Sequence, residues 1–167
     1  MAVQVKQIIA EWALPAVVVI IIIIAALILI GTHNKKSVEK YGAWSDILNH
    51  GESLEVGQAL QQWHNQGYTK LVMQWDGNLV MYLNNQAIWA SQTPWGWRRN
   101  GYVCRMQTDG NLVIYDKDSW RPIWASNTWG NQANGSLSYT LRMGPRGFEV
   151  QKCFLYAGCQ VMKRFGQ

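Results

Sequence analysis

Two nine-residue segments of the chain repeat one pattern of polar residues. Residues 74–82 read QWDGNLVMY and residues 107–115 read QTDGNLVIY, so both follow Gln-x-Asp-x-Asn-x-Val-x-Tyr. A carboxylate accepts hydrogen bonds, whereas an amide or a phenol both donates and accepts them. This set of groups, with one valine as an apolar surface, suits a small ligand that carries several hydroxyl groups. The candidate binding residues are Gln74, Asp76, Asn78, Val80 and Tyr82 in the first segment and Gln107, Asp109, Asn111, Val113 and Tyr115 in the second.

The spacing of these residues predicts the element that carries them. They occupy alternate positions, and alternate residues of a β-strand point to one face of its sheet. The opposite face carries Leu79 and Met81 in one segment and Leu112 and Ile114 in the other, which predicts that this face lies in the core. Turn-forming residues follow in LNNQ and DKDSWRP, and the I-W-A-S segments then predict return strands with one buried tryptophan each.

A weaker third copy follows the two intact ones. The repeat unit is about 33 residues long, from Gln74 to Gln107, and the segment LSYTLRMGPRGFEVQKC aligns when Met143 matches Met73 and Met106. Three such β units predict a small all-β domain with pseudo-threefold symmetry, whose third unit keeps the scaffold and loses the polar face. In this alignment Val150 is the one motif residue retained, and the other four positions hold Gly144, Arg146, Phe148 and Lys152.

The two motifs and their flanks, DILNHGESLEVGQAL and IWASNT, resemble the bulb-type mannose-binding lectins of monocots. The resemblance covers residues 43–167. It implies a β-prism II, in which three four-stranded sheets surround one axis and Trp89 and Trp124 pack inside. It also implies two mannose sites. In each, the aspartate and asparagine would hold the axial 2-hydroxyl, the glutamine the 3-hydroxyl and the tyrosine the 4-hydroxyl.

The chain departs from the family pattern at several points. Family members often carry a bridged cysteine between the aspartate and the asparagine of the first motif, where this chain has Gly77. The third motif is erased, and the segment CFLYAGCQVMKRFGQ runs past the usual end of the family. Because family members often exchange C-terminal strands to form dimers, the resemblance is consistent with a homo-oligomer.

An uncharged apolar run, WALPAVVVIIIIIAALILI, precedes this domain. Its nineteen residues would span about 29 Å as a helix, close to the ~30 Å hydrocarbon core of a bilayer. The run is longer than the apolar region of a signal peptide, and it has no small-residue cleavage pattern. A buried core helix would need a larger protein around it. The stretch QIIAEW loosely resembles the processing region of type IV pilins, but it lacks the glycine or alanine expected before the cut. The sequence therefore predicts an N-terminal segment at 1–11, a transmembrane helix at 12–31, a linker at 32–42 and a lectin domain with a C-terminal extension at 43–167.

This organisation predicts a single-pass membrane protein. Its expected partners are a mannose-containing glycan, membrane lipid and other membrane proteins that pack on the helix. One lysine precedes the helix and three follow it closely, which by the positive-inside rule favours a cytoplasmic lectin domain. Glycan binding favours the opposite side, and we expect the domain to be extracytoplasmic. An alternative function is an accessory or structural subunit of a membrane complex or pilus-like filament, with the lectin fold as a packing or capping module.

Other classes of function are not favoured. The sequence has no nucleophile elbow, no Gly-rich phosphate loop and no metal-ligand spacing, so an enzyme, a metal and a cofactor are not expected. The net charge of +5 comes from scattered basic residues, which argues against nucleic acid. Cys153 and Cys159 are close enough in sequence to bridge in an oxidising compartment, which would leave Cys104 free. A structural alternative for the motifs is a solvated strand whose polar side chains bond only to each other.

Overall fold

The computed structural model describes residues 45–166, which form twelve short β-strands. Most of the connecting segments are tight turns rich in glycine, asparagine and aspartate, as hairpins require. The strands are β1 Ile47–Asn49, β2 Ser53–Glu55, β3 Ala59–His64, β4 Gly67–Met73, β5 Leu79–Leu83, β6 Gln86–Ala90, β7 Tyr102–Met106, β8 Leu112–Asp116, β9 Pro122–Ala125, β10 Leu137–Met143, β11 Gly147–Phe154 and β12 Gly158–Gly166.

The strands form three antiparallel four-stranded sheets, as predicted. Their orders are β3-β4-β5-β6 in sheet 1, β2-β7-β8-β9 in sheet 2 and β1-β10-β11-β12 in sheet 3. Sheet 1 is a continuous meander. Sheets 2 and 3 each combine three consecutive strands with one short strand from the start of the domain. The two short strands, β1 and β2, therefore connect the beginning of the domain to its middle and its end.

One strand register recurs in all three sheets, which confirms the predicted pseudo-threefold symmetry. In each sheet a methionine at the end of one central strand pairs with the first apolar residue of the next. Each sheet also has one register shift at the equivalent place. The equivalent pairs are Met73–Leu79, Met106–Leu112 and Met143–Phe148.

The core is formed by the apolar face that the alternation predicts. Leu79, Met81, Leu112 and Ile114 are all fully buried. Burying a side chain of this size contributes ~1.5–3 kcal/mol. The inner faces of the three sheets together form one cluster of buried residues on the axis.

The two tryptophans of the return strands are less buried than predicted. Trp89 and Trp124 are partly buried and pack against the outside of the core cluster, with their ring centroids 5.9 Å apart. Phe165 lies 5.5 and 5.7 Å from their centroids. Their strands, β6 and β9, are the outermost strands of their sheets.

The first half of each motif lies in a turn, which corrects the prediction of a single strand face. β5 and β8 begin one residue after the motif asparagine, so residues 74–78 and 107–111 connect strands. Gly77 and Gly110 have φ angles of 89° and 88°, in the left-handed region that favours glycine. This backbone reversal ends the strand periodicity, although the sequence continues to alternate.

The turn in the third copy is one residue shorter, which also corrects the alignment. Six positions separate Met73 from its partner Leu79, whereas five separate Met143 from Phe148. Phe148 therefore occupies the core place of the leucine and not the place of the asparagine.

The shorter turn changes the role of the valine that was matched to the motif. Val150 is fully buried and pairs with Leu141, so it takes the core place of Met81. Glu149 stands where the motif valine would be, and Gln151, rather than Lys152, stands where the tyrosine would be. None of the five motif residues survives in the third copy.

The C-terminal tail completes sheet 3. Strand β12, which lies in the tail, is the fourth strand of the sheet and pairs with β11 along most of its length. A disulfide between Cys153 and Cys159 closes this hairpin. Cys104 is fully buried and is a free thiol.

The predictions for residues 1–44 lie outside the described residues. They include the transmembrane helix at 12–31 and the linker at 32–42. Residues 41–167 cluster as one compact unit. Within residues 45–166, no helix is long and apolar enough to cross a bilayer.

Candidate functional site

Site 1 consists of Gln74, Asp76, Asn78, Val80 and Tyr82, at the turn between β4 and β5. The turn is closed by a backbone hydrogen bond from Gln74 N to Asn78 O at 2.9 Å. Asn78 N also donates to Asp76 Oδ1 at 2.9 Å. Asp76 Oδ1 thus caps the turn, whereas the second carboxylate oxygen, Oδ2, accepts no hydrogen bond from residues 45–166. It is therefore available to a ligand.

Two buried hydroxyl residues on the return segment fix the orientation of the Asn78 amide. Ser91 Oγ donates to Asn78 Oδ1 at 2.9 Å, and Thr93 N donates to the same oxygen at 3.2 Å. Leu79 N donates to Ser91 Oγ at 3.0 Å, so this serine bonds in two directions. With Oδ1 occupied by two donors, Asn78 Nδ2 is the group left to donate to a ligand.

The opposite end of site 1 is held by a pair of side chains. Gln74 Nε2 donates to Tyr82 Oη at 2.7 Å. The tyrosine O–H remains available as a donor, and Gln74 Oε1 accepts no hydrogen bond within residues 45–166. Val80, only 4% exposed, forms the floor between these groups and offers little surface. The motif side chains thus bond to each other in part, but each polar one keeps a group free.

Site 2 consists of Gln107, Asp109, Asn111, Val113 and Tyr115, at the turn between β7 and β8. Its four defining hydrogen bonds match those of site 1 to within 0.2 Å. The supporting hydroxyls here are Ser126 and Thr128. The bonds are Asn111 N to Asp109 Oδ1 at 2.9 Å, Gln107 Nε2 to Tyr115 Oη at 2.6 Å, Ser126 Oγ to Asn111 Oδ1 at 3.1 Å and Thr128 N to Asn111 Oδ1 at 3.3 Å.

Each site borders an open cavity. The site 1 cavity has a volume of about 610 Å³, and the site 2 cavity about 430 Å³. The motif glutamine, aspartate and tyrosine line both cavities, whereas the asparagine and valine do not. Different neighbours surround these shared groups. Trp75, Lys70 and Asn85 line the first cavity, and Trp120, Arg105 and Gln132 line the second.

A tyrosine from the following sheet supports each of the two turns. A Cβ atom built on Gly77 would lie 2.9 Å from the ring of Tyr102, and one on Gly110 would lie 2.5 Å from the ring of Tyr139. Burial raises the pKa of both phenols, so they remain neutral donors at neutral pH. Tyr102 Oη donates to Gly96 O at 2.8 Å, and Tyr139 Oη donates to a backbone carbonyl at 2.7 Å.

The equivalent place on sheet 3 is built differently. Phe165 stands where sites 1 and 2 have their buried serine, and it stacks on Phe148 with ring centroids 4.7 Å apart. This aromatic pair offers no hydroxyl group that could orient an amide. The predicted loss of the third polar face is confirmed, and the supporting serine is absent there together with the motif residues.

Sequence reasoning identified the ten motif residues but missed the groups that hold them in place. The supporting hydroxyls belong to the shared segment A-S-x-T, which recurs after each motif and was interpreted only as a return strand. Its repetition was the available signal. Tyr102 and Tyr139 also recur, each four residues before the methionine that precedes a turn, but their partners lie on another sheet. That contact could not be inferred from local spacing.

Comparison with known proteins places the chain among its relatives. No protein-family model matches it. A mannose-specific lectin of Aloe arborescens is 38% identical over 101 residues, which is 58% of this chain and 82% of the relative. The chain belongs to the monocot mannose-binding lectin family. A mannose-specific lectin of Galanthus nivalis is 44% identical over 71 residues, or 42% of this chain. The match spans 41% of that relative and about half of two Narcissus relatives (59% and 46%).

Solved structures of the family share the fold. A monomeric monocot mannose-binding lectin from Gastrodia elata superposes with a TM-score of 0.56 at 34% identity, over 72% of this chain and 94% of that one. The snowdrop agglutinin complexed with methyl-α-D-mannoside superposes with a TM-score of 0.53 at 36% identity, over 64% of this chain and 88% of that one. The β-prism II predicted for residues 43–167 is confirmed over the described residues.

Proposed function

We propose that this member of the family is a mannose-binding lectin with two working sites, sites 1 and 2. The observation that supports this most is that the two sites carry the same hydrogen-bond network. Both networks leave the same groups free: one carboxylate oxygen, one amide N–H pair, one amide oxygen and one phenol O–H. The relatives named above are mannose-specific lectins, which also favours mannose as the ligand.

The free groups suit adjacent hydroxyls on one face of a sugar ring. A charged acceptor, Asp Oδ2, and a fixed donor, Asn Nδ2, would together hold one hydroxyl as both donor and acceptor. By resemblance this is the axial 2-hydroxyl that distinguishes mannose from glucose. An equatorial hydroxyl would leave the pair unmatched, at a cost of ~1–3 kcal/mol.

Membrane anchoring completes the proposal. Shallow single-sugar sites are weak, and a millimolar dissociation constant corresponds to only about −4 kcal/mol. Two sites on each of many chains at one membrane would raise avidity by ~10²–10⁴ where the spacing fits. The apolar run at residues 12–31 supports a membrane anchor. Because glycan ligands are typical of the extracytoplasmic side, we propose that the lectin domain lies on that side.

Calorimetry of the full chain tests the binding proposal. Methyl α-D-mannoside is expected to bind with two sites per chain and more tightly than methyl α-D-glucoside. The double variant Asp76→Asn, Asp109→Asn keeps the oxygen that caps each turn but removes both charges. It should therefore fold normally and lose binding at least tenfold. Asp46→Asn, outside both sites, is the matched control. A folded wild-type chain that releases no heat at millimolar mannoside would contradict the proposal.

Protease treatment tests the location. In intact cells the lectin unit should be cut by added protease, and a variant that lacks residues 12–31 should leave the membrane fraction. A domain that is protected in intact cells but cut after lysis would place it in the cytoplasm.

A further inference from the structure

A third groove lies on sheet 3, at the place equivalent to sites 1 and 2. Its volume is about 650 Å³, similar to that of the site 1 cavity at about 610 Å³. Its lining differs from both motif sites because it contains three arginines. The residues that matter for its chemistry are Arg142, Arg146, Arg164, Glu149 and Gln151.

A cross-strand row of charges forms one wall of this groove. Glu149 on β11 is directly opposite Arg142 on β10 and Arg164 on β12. Arg164 Nε donates to Glu149 Oε1 at 2.7 Å, and Gln151 Nε2 donates to Glu149 Oε2 at 2.9 Å. These two hydrogen bonds, with the charge of Arg142, hold the pKa of Glu149 below its ordinary value. Both oxygens of this single carboxylate are therefore already occupied.

The arginines outnumber the acid that faces them. Three guanidinium groups and one carboxylate leave a formal excess of two positive charges in the groove. Arg146 belongs to the shortened turn and follows Met143 by three residues, as Asp76 follows Met73. Within residues 45–166, neither Arg146 nor Arg142 makes an ion pair closer than 4.0 Å.

We propose that this groove binds a sugar that carries a carboxylate, a hexuronate. The guanidinium groups of Arg142 and Arg146 hold the carboxylate, since guanidinium pairs with carboxylate through charge-assisted hydrogen bonds. Gln151 Oε1 stands at the place of the motif tyrosine and accepts from a ring hydroxyl. The proposal concerns a third site and a different ligand, and it does not depend on mannose binding at sites 1 and 2.

Calorimetry of the full chain at low ionic strength tests it with three probes. Methyl β-D-glucuronide is expected to bind at least about tenfold more tightly than the neutral methyl β-D-glucoside, and raised salt should weaken it. The double variant Arg142→Gln, Arg146→Gln should reduce glucuronide binding to the level of the glucoside. Sodium sulfate, the third probe, should compete only weakly because it lacks the ring.

Matched controls separate a built site from general charge. The double variant Arg99→Gln, Arg121→Gln removes the same charge elsewhere on the surface and should bind glucuronide like the wild type. An unchanged melting temperature establishes that each variant is folded, whatever its affinity for mannoside. Equal binding of glucuronide and glucoside would overturn the proposal, as would equal losses in the two double variants. Sulfate that binds as tightly as glucuronide would replace the sugar site with a simple anion site.

Discussion

Two buried serines, Ser91 and Ser126, determine which atoms of the motif asparagines face a ligand. Each accepts a hydrogen bond from the backbone N–H of the first residue of the adjacent strand, β5 or β8, and donates one to the asparagine side chain. The hydroxyl therefore links the stability of the fold to the geometry of the site.

Removing one of these hydroxyls should affect one site and spare the other. We expect Ser91→Ala to leave the buried N–H of Leu79 unpaired and to lower the free energy of unfolding by ~1–3 kcal/mol. The Asn78 amide would then rotate, and site 1 would lose mannoside affinity several-fold while site 2 keeps it. Thermal melts and calorimetric stoichiometry measure both effects. Ser138→Ala, on a partly exposed surface, is the control. An unchanged two-site isotherm for Ser91→Ala would contradict the orientation argument.

Glycine at the motif turn is required for two separable reasons. Gly77→Ala would place a methyl group 2.9 Å from the Tyr102 ring and 3.1 Å from Thr93 O, with φ at 89°. Gly96 also has positive φ, at 82°, but has open space around it. We expect Gly96→Ala to cost only the ~1 kcal/mol of an unfavourable backbone and Gly77→Ala to cost ~1–3 kcal/mol more. Urea denaturation compares the two, and equal losses would mean that the ring contact is soft.

The sequence singles out the residues of the two candidate sites, but it does not reveal their arrangement. Spacing revealed Asp76 and Asn78 as a pair because the pattern occurs twice. It did not reveal that they sit in a turn, because alternation along the sequence continues through a backbone reversal. The supporting Ser91 lies thirteen residues after Asn78, and only the folded hairpin brings the two together.

At the scale of elements, the β11–β12 hairpin is the one closed by a covalent link. Cys153 and Cys159 are six residues apart, so the disulfide constrains a short loop, and a short loop yields a modest entropic gain of ~2–3 kcal/mol. We expect the variant Cys153→Ser, Cys159→Ser to lower the melting temperature by several degrees, and a reductant to have the same effect on the wild type. Reductant should not affect the variant further, because Cys104 is already a free thiol. An unchanged melting temperature would mean that strand pairing alone fixes the hairpin.

The long connection between β6 and β7 depends on a carboxylate at the end of β8. Asp116 pairs with Arg98 of this connection at 3.3 Å. Burial favours the neutral acid, but hydrogen bonds from the backbone N–H groups of Asp118 and Ser119, with the Arg98 charge, lower the pKa of Asp116 overall. Its stabilising effect is therefore complete above the ordinary pKa of 3.8 and is lost as pH falls through the lowered value.

Thermal melts against pH test this connection. At pH 7, Asp116→Asn is expected to lower stability by about 1 kcal/mol, or a few degrees. The difference from wild type should shrink as the pH falls below the ordinary pKa of 3.8, and it should vanish once the wild-type carboxyl is protonated in the folded chain as well. Asp46→Asn is the control for loss of one carboxylate elsewhere. A difference that persists at the lowest pH would assign the effect to packing and not to charge.

The elements themselves followed from the sequence where the repeat was intact. An all-β domain with pseudo-threefold symmetry could be predicted because polar turns, apolar alternation and the 33-residue spacing all agreed, and the family resemblance implied the three four-stranded sheets that the structure has. The alignment of the third unit was wrong because one residue is missing from its turn. This deletion moves Val150 from the outer face of the sheet to the core. A one-residue change inverts strand faces, and a valine fits either face, so its identity could not reveal the shift.

At the scale of the whole molecule, sites 1 and 2 lie on different sheets of the prism. We therefore expect a branched glycan or a second glycan chain to supply the sugar for the other site. With both proposed sites working, one copy of the chain would be able to cross-link glycans. The homo-oligomer suggested by the family resemblance would add sites in the same way, and it stays a prediction. Sheet 3 receives its last strand, β12, from its own chain.

Cross-linking of a branched mannan distinguishes these sources of valency. The compact unit, residues 41–167, should form turbid complexes with mannan through its two sites. Asp109→Asn leaves site 1 intact, so it should still bind monovalent mannoside with one site per chain. If the unit is a monomer, this variant should lose turbidity completely, because one site cannot bridge two glycans. If copies associate, each assembly keeps several sites, and turbidity should persist and then fall on dilution below the dissociation constant of the assembly. Sedimentation velocity of the same samples checks the assignment. A monomeric single-site variant that still cross-links mannan would require a binding site beyond sites 1 and 2.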